Sequence, residues 1–164
     1  MTGTVVWFVG LPASGKSTLG ERFRARLVAR NTPVVLLDGD VVREILGARD
    51  YSNRDEFYRI LAELAAMIAT QDVVVLVAAT AAKRAYRTHA RELAARFIEV
   101  WVHATLEECR ARDFKGLYEA ADRGEISALP GVDTEFEPPT SPEVVARGGL
   151  DDEALDRLDE LVAR

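Results

Sequence analysis

Cysteine and histidine are scarce in this sequence of 164 residues, which contains a single cysteine, Cys109, and two histidines. One cysteine can form neither an internal disulfide nor a cysteine-based metal cluster, so a reducing compartment and a cytoplasmic location are expected. Long hydrophobic runs are missing as well, because the apolar stretch of residues 73–82 is much shorter than the roughly 20 residues that cross a bilayer. With no cationic flank at its N-terminus, the chain is predicted to have neither a signal peptide nor a membrane segment.

Positive charge is in deficit, since the formal net charge is −6 at pH 7. A negative sum argues against a nucleic-acid polymer or an acidic membrane surface as partner, because both bind through a positive surface field. The charge is unevenly distributed: residues 1–118 contain 17 basic and 14 acidic side chains, whereas residues 119–164 contain 4 and 13. The net charge is silent about a local cationic cleft for small, highly charged nucleotides, which the motif positions described below indicate within the first block.

Short apolar runs alternate with longer helical patterns, which is typical of strand–helix–strand units and a parallel sheet. Strands are predicted at residues 4–9, 34–37, 73–78, 97–103 and, more weakly, 144–147. Helices are predicted at residues 16–30, 41–46, 54–70, 84–95, 106–112 and 152–162. We expect one α/β domain over residues 1–164, with helices on both faces of a mainly parallel sheet. Glycines and prolines interrupt residues 113–142, which are predicted to form a long loop that acts as a lid.

A phosphate-binding pattern follows the first predicted strand. Residues 10–17 read Gly-Leu-Pro-Ala-Ser-Gly-Lys-Ser and fit Gly-x4-Gly-Lys-Ser/Thr between a strand and a helix. The glycines let backbone N–H groups surround phosphate oxygens at the positive end of the helix. Lys16 would reach the β and γ phosphates, and the Ser17 hydroxyl would face Mg²⁺. The alternative is a glycine-rich turn that only caps a helix.

This pattern predicts the three-layer α/β/α fold of P-loop nucleoside triphosphate hydrolases and a nucleoside triphosphate as ligand. The predicted nucleotide-binding residues in the loop are Gly10, Ala13, Ser14, Gly15, Lys16, Ser17 and Thr18. The sequence lacks an Asn-Lys-x-Asp motif, which argues against a small GTPase.

Two carboxylates, Asp38 and Asp40, follow the second predicted strand, and Arg43 comes shortly after them. At the carboxyl edge of a parallel sheet such a pair can share Mg²⁺ and accept a proton from an attacking hydroxyl. The alternative is a turn and helix cap, for which Asp-Gly-Asp is also well suited. Arg84 and Arg87 would lie near the same edge. Two interpretations stay open for them: they bind phosphate, or they belong to a solvated surface. His103 and Cys109 are interpreted as core or near-core residues.

Several motifs together resemble the adenylylsulfate kinase family along nearly the whole chain. Besides the phosphate loop, they are Asp38-Gly-Asp-x-x-Arg43, residues 112–118 (Arg-Asp-Phe-Lys-Gly-Leu-Tyr), Gly131-Val-Asp133 and Phe136-Glu-Pro-Pro139. The resemblance implies transfer of the γ-phosphoryl group of MgATP to the 3′-hydroxyl of adenosine 5′-phosphosulfate, giving 3′-phosphoadenosine 5′-phosphosulfate. Dimers are common in this family, so a homodimer is implied too.

The resemblance also implies residue roles. Lys16, Asp38 and the lid lysine Lys115 would be catalytic, Ser17 and Asp38 would hold Mg²⁺, and Asp40 would lie beside them at the acceptor.

The same resemblance implies which residues contact the two nucleotides. Arg43 and Arg54 would hold the phosphate and sulfate end of the acceptor, and Arg112 would lie against the adenine of ATP. Tyr51 and Phe136 would sandwich the adenine of the acceptor, as aromatic rings can do for any base.

The chain departs from the family pattern on the acceptor side. The family's Arg-x-Glu-Asn reads Arg54-Asp-Glu-Phe57 here, so a ring replaces a substrate-contacting amide. Thr80, also assigned to acceptor binding, precedes Ala81, which occupies the position of a family serine sometimes described as a phosphoserine intermediate. Direct in-line transfer is therefore expected.

Three functions stay open at this point. One is an adenylylsulfate kinase with a changed acceptor pocket. The second is a related kinase that phosphorylates the ribose 3′-hydroxyl of another nucleotide conjugate, such as a cytidine or uridine diphosphate derivative. The third is a non-catalytic nucleotide-binding regulatory module, against which the presence of Lys16, Ser17, Asp38 and Lys115 speaks.

Overall fold

Residues 3–47 and 52–164 are described by a computed structural model, in which strands and helices alternate along the chain. Within these residues the strands are β1 (Thr4–Val9), β2 (Val34–Asp38), β3 (Val74–Ala78), β4 (Phe97–Val102) and β5 (Val144–Ala146). The helices are α1 (Lys16–Ala29), α2 (Gly39–Ile45), α3 (Arg54–Ala69), α4 (Arg84–Leu93), α5 (Leu106–Arg112), α6 (Leu117–Asp122) and α7 (Asp152–Val162). None of these helices combines the length and the apolar character that a membrane span requires.

The strands form one parallel sheet in the order β2-β3-β1-β4-β5. In the central strand, Val6 pairs with Leu76 on one side and with Ile98 on the other. Because the strands are parallel, the loops after β1 and β2 open at the same edge of the sheet, on either side of β3. The predicted α/β fold with a mainly parallel sheet is confirmed.

Alternate residues of β1 face two separate cores. Val6 and Phe8 pack with α1 and α7 on one face, where Phe23 and Leu158 are fully buried. Val5, Trp7 and Val9 pack with α3 and α4 on the other face. Burial of both faces explains why β1 reads as a continuous apolar run rather than as an alternating pattern. The sheet is therefore a rigid base for the loops at its edge.

The predicted strands and helices are confirmed to within two residues at each end, but α6 was not predicted. This helix lies inside the segment expected to be a long loop. The Asp113 carboxylate accepts hydrogen bonds from the backbone N–H groups of Tyr118 and Glu119, both at 3.0 Å, and Gly116 supplies the left-handed turn that precedes the helix. A helix of six residues is too short to produce a recognisable periodicity, so only its capping residues could have indicated it.

The interpretation of His103 as a core residue is wrong. Its side chain is exposed and lies against the Trp101 ring, with 4.4 Å between ring centroids. The strand β4 ends at Val102, so His103 already lies outside the sheet. Cys109 is fully buried, as expected.

An ion-pair network connects α1 with α7. Arg22 and Arg26 of α1, with Arg30 directly after it, face Asp152, Asp156 and Asp159 of α7. Arg26 is central, with 2.6 Å to an Asp156 oxygen and 2.9 Å to an Asp159 oxygen, and these hydrogen bonds raise its pKa. The acidic excess of the C-terminal block is thus partly neutralised by the basic face of α1.

Replacing Arg26 tests this network. We expect Arg26→Met to lower the free energy of unfolding by about 1 kcal/mol at low salt, because exposed ion pairs contribute at most about that much each. The loss should shrink in 1 M salt, which screens partly exposed charges. Denaturant unfolding at both ionic strengths measures it. Arg157→Met, which removes an exposed pair within α7, is the control and should change stability little; equal losses in both variants would contradict the network.

Candidate active site

The phosphate loop lies between β1 and α1 in a conformation that only glycine tolerates at one position. Gly15 has a φ of 108° and directly precedes α1. A Cβ atom on Gly15 would lie 2.4 Å from the backbone nitrogen of Gly149, so the loop is packed from behind by the segment before α7. This support holds the N–H groups at the start of α1 toward the position that phosphates occupy in such loops.

The Lys16 ammonium folds back onto the phosphate loop. Its Nζ donates to the carbonyl oxygens of Gly10 and Leu11, at 3.0 and 2.8 Å. Burial lowers the pKa of Lys16 to about 8, against the opposing effect of the Asp40 carboxylate. The hydrogen bonds of this desolvated cation go to neutral carbonyl oxygens. Negatively charged phosphate oxygens would therefore stabilise its charged form further.

Ser17 and Asp38 meet across the sheet edge. The Ser17 hydroxyl donates to Asp38 Oδ2 at 2.7 Å, while Asp38 Oδ1 accepts from the backbone nitrogens of Asp40 and Val41 at the start of α2. The helix cap predicted as one interpretation of Asp38 is therefore confirmed, and its role as a functional carboxylate stays a prediction. A hydroxyl beside a carboxylate fits Mg²⁺, which takes few protein oxygens and completes its shell with substrate phosphates and water.

Lys115, the predicted lid lysine, lines the same cleft as the phosphate loop. Lys115 forms an ion pair with the Asp40 carboxylate, and both residues line the cleft. This contact joins the segment after α5 to the start of α2. The charges of Lys115 and Asp40 thus neutralise one another.

Residues of α2, of α3 and of the segment after β3 also line the cleft. They are Arg43, Arg54, Phe57 and Thr80, which line it together with phosphate-loop residues. Arg43 is only 5 % exposed, and its guanidinium lies 3.8 Å from the centroid of the Phe57 ring. One cleft therefore joins residues that the sequence assigned separately to ATP and to the acceptor.

Arg112 and Phe136 are predicted site residues that are not among the described residues lining the cleft. Arg112 donates to the carbonyl oxygens of Ser14 and Ala13, at 3.3 and 3.4 Å, and so lies directly on the phosphate loop. Phe136 packs against the core around α3 and α4 and is not among the described residues that line the cleft. Tyr51 lies outside the described residues.

Arg84 and Arg87 are not among the described residues that line the cleft, which argues against the phosphate-binding role considered for them, and the burial of Arg87 contradicts the solvated-surface role too. Arg87 is 3 % exposed, donates to Glu99 at 2.8 Å and also donates to the carbonyl oxygens of Ala81 and Glu137. Arg84 donates to the carbonyl oxygen of Pro138. Both arginines instead hold the end of the 113–142 segment against α4. Helical spacing placed them near the sheet edge but could not show which partners they contact.

Sequence reasoning missed a residue that attaches the 113–142 segment to the phosphate loop. Tyr118 is 2 % exposed, and its hydroxyl donates to the carbonyl oxygen of Pro12 at 2.7 Å. Burial raises the pKa of this hydroxyl, so it stays a donor over the whole working range of pH. Its position in the Lys-Gly-Leu-Tyr motif was the available signal.

A phosphate loop at the start of α1, a carboxylate at the end of β2 and basic side chains around the same cleft define a P-loop kinase. The family model for adenylylsulphate kinase matches residues 2–147, and the chain belongs to this family.

Individual relatives agree with this assignment. The adenylyl-sulfate kinase of Synechococcus sp. (strain JA-3-3Ab) is 43% identical over 148 residues, covering 88% of this chain and 84% of the relative. That of Microcystis aeruginosa is 38% identical over 99% of this chain and 88% of the relative. Among solved structures, the Mycobacterium tuberculosis APS kinase in complex with AMPPNP and APS has a TM-score of 0.90 at 32% identity, covering 99% of both chains.

The lowered pKa of Lys16 leads to a prediction about pH. Below pH 8 the free protein already has the charged ammonium that phosphates prefer, whereas above pH 8 binding must first take up a proton. We expect the ATP dissociation constant to be steady from pH 7 to 7.5 and to rise by up to about tenfold per pH unit above pH 8. Titration calorimetry from pH 7 to 9.5 measures it. Lys16→Arg stays charged throughout and should show no such rise, so parallel curves for both proteins would contradict the assignment.

Proposed function

We propose that this protein transfers the γ-phosphoryl group of ATP to the 3′-hydroxyl of adenosine 5′-phosphosulfate, giving 3′-phosphoadenosine 5′-phosphosulfate and ADP. The main support is one cleft whose lining includes phosphate-loop residues together with Arg43 and Arg54. A relative that aligns over 99% of this chain has been solved with AMPPNP and APS together. A cleft lined in this way suits two anionic nucleotides placed end to end.

Phosphoryl transfer needs alignment and positive charge more than covalent help from the protein. Lys16 would leave its carbonyl partners for the β and γ phosphates. Ser17 and Asp38 would hold Mg²⁺, which when bound neutralises phosphate charge. Asp38 Oδ2 would also accept the proton of the attacking 3′-hydroxyl.

The lid belongs to the proposal. Residues 113–142 would close over both nucleotides within one domain of residues 1–164, and Lys115 would exchange Asp40 for the travelling phosphoryl group. The tie from Tyr118 to Pro12 supports this, because it links movement of the lid base to the phosphate loop. Closure would exclude water and so limit hydrolysis of ATP. The homodimer implied by the resemblance stays a prediction.

A covalent phosphoenzyme is not part of the proposal. Ala81 is fully buried, and its backbone N–H donates to the Tyr58 hydroxyl at 3.0 Å. Its methyl side chain offers no nucleophile, which supports direct in-line transfer from ATP to the acceptor.

A second candidate is a kinase for the ribose 3′-hydroxyl of another nucleotide conjugate. The observation that favours it is the Phe57 ring in the cleft wall, where the family pattern has an amide. A buried polar group of a substrate that loses its partner costs about 1–3 kcal/mol, enough to change the preferred base.

An acceptor panel separates these functions. The protein is incubated with MgATP and with adenosine phosphosulfate, cytidine diphosphate conjugates or uridine diphosphate conjugates, and the products are identified by mass. We expect adenosine phosphosulfate to gain one phosphoryl group at the 3′ position at the highest kcat/KM. Turnover of a pyrimidine conjugate alone would select the second candidate, and tight ATP binding with no acceptor turned over would select a regulatory module.

Replacing Asp38 tests the proposed proton acceptor. Asp38→Asn keeps the cap of α2, since asparagine caps helices as well as aspartate does. We therefore expect unchanged thermal stability, ATP affinity within a few fold of the original and a loss of kcat of at least about 100-fold, the usual scale for removing a general base. Calorimetry, thermal denaturation and the transfer assay measure the three quantities. A variant with nearly full kcat would remove Asp38 from the mechanism.

A further inference from the structure

The acceptor wall of the cleft contains a stacked pair that joins two helices. Arg43 lies on α2, Phe57 lies on the first turn of α3, and the guanidinium carbon is 3.8 Å from the ring centroid. Both side chains are almost fully buried, at 5 % and 2 % exposure, yet both line the cleft. A cation over an aromatic face at this distance is attracted by the ring quadrupole, most strongly where water is excluded.

The ring of Phe57 is itself held in place. Its neighbour Tyr58 meets it edge to face, with 5.2 Å between centroids. Tyr58 in turn stacks on Tyr86 at 4.5 Å and accepts a hydrogen bond from the Ala81 backbone N–H. The surface beneath Arg43 is therefore anchored to the end of β3 and to α4, and not only to its own helix.

A fixed ring beneath a guanidinium controls how the cation meets an anion. All five N–H donors of arginine lie in the guanidinium plane, so an anion binds best at an edge and in that plane. Phe57 covers one face of Arg43 and thereby sets the plane. A flexible, fully solvated arginine would have to lose this freedom each time an acceptor binds.

We propose that Phe57 is a positioning residue for the acceptor: its ring orients Arg43 toward the anionic 5′ end of the nucleotide and makes no base-specific contact of its own. This inference rests on the proposed function, since it assigns Arg43 to the phosphate and sulfate end of that acceptor. Selection of the acceptor by this wall thus depends on its charged end, and the ring provides no donor or acceptor for reading a base edge.

The test compares ligands with and without the anionic end. Phe57→Leu keeps an apolar side chain and removes the ring, and Phe57→Tyr restores the ring. We expect Phe57→Leu to raise the KM and the dissociation constant for adenosine 5′-phosphosulfate about tenfold, a size that matches loss of a buried cation–ring contact. The kcat, the KM for ATP and the weak binding of adenosine, which lacks the 5′ anion, should be unchanged. Phe57→Tyr should restore the original values.

A matched control lies far from the cleft. Arg91 lies over the Phe97 ring at 4.8 Å, so Phe97→Leu removes a similar pair by the same substitution and should leave every nucleotide constant unchanged. Thermal denaturation of both leucine variants checks that they fold. Should Phe57→Leu fold poorly, Phe57→Met gives a second variant without the ring.

A double-mutant cycle decides whether Phe57 acts through Arg43. Arg43→Lys keeps the charge but has no plane to orient, so Phe57→Leu should have little further effect on phosphosulfate binding in that background. Additive losses, or equal weakening of adenosine and adenosine 5′-phosphosulfate by Phe57→Leu, would overturn the proposal. If the unsubstituted protein binds this acceptor but does not phosphorylate it, the proposed function fails, while the binding data still decide the role of Phe57.

Discussion

The site depends on the fixed separation of two loops, which the hydrogen bond between Ser17 and Asp38 connects. These residues follow β1 and β2, which are not neighbours in the sheet, since β3 lies between them. Only a parallel sheet with both faces buried brings the two loops to the same edge at a fixed separation. The cores on each side of β1 therefore set the geometry of the phosphate loop and of the carboxylate opposite it.

Three cations that line the cleft have partners within the protein. Lys16 rests on backbone carbonyl oxygens, Lys115 on Asp40, and Arg43 on the face of Phe57. Each of these contacts is weaker for a cation than a contact with phosphate oxygens in a dry site. Phosphate binding would therefore exchange the partners of these cations without first creating an isolated charge.

The sequence predicted those features that depend on adjacent residues. Strands, most helices and the phosphate loop follow from local patterns, and Asp38 followed from its place after a strand. Contacts between distant segments could not be predicted from the sequence. The spacing of Arg84 and Arg87 did not show that these residues would hydrogen-bond to Glu99 and to the 136–138 segment. The short helix α6 was not predicted for another reason. Six residues are too few to display a helical periodicity, and the hydrogen bonds to the Asp113 carboxylate that cap the helix are not visible as a pattern.

The close approach of Gly149 to Gly15 has a consequence for the order in which parts of the protein fold. Arg22 also reaches the Gly149 carbonyl oxygen, at a separation of 127 residues along the chain. Contacts of such long range form late, since the intervening chain must be ordered first. During synthesis the phosphate loop leaves the ribosome early but gains its rear support only after β5 and the following turn have emerged. The phosphate loop is thus synthesised well before the segment that supports it.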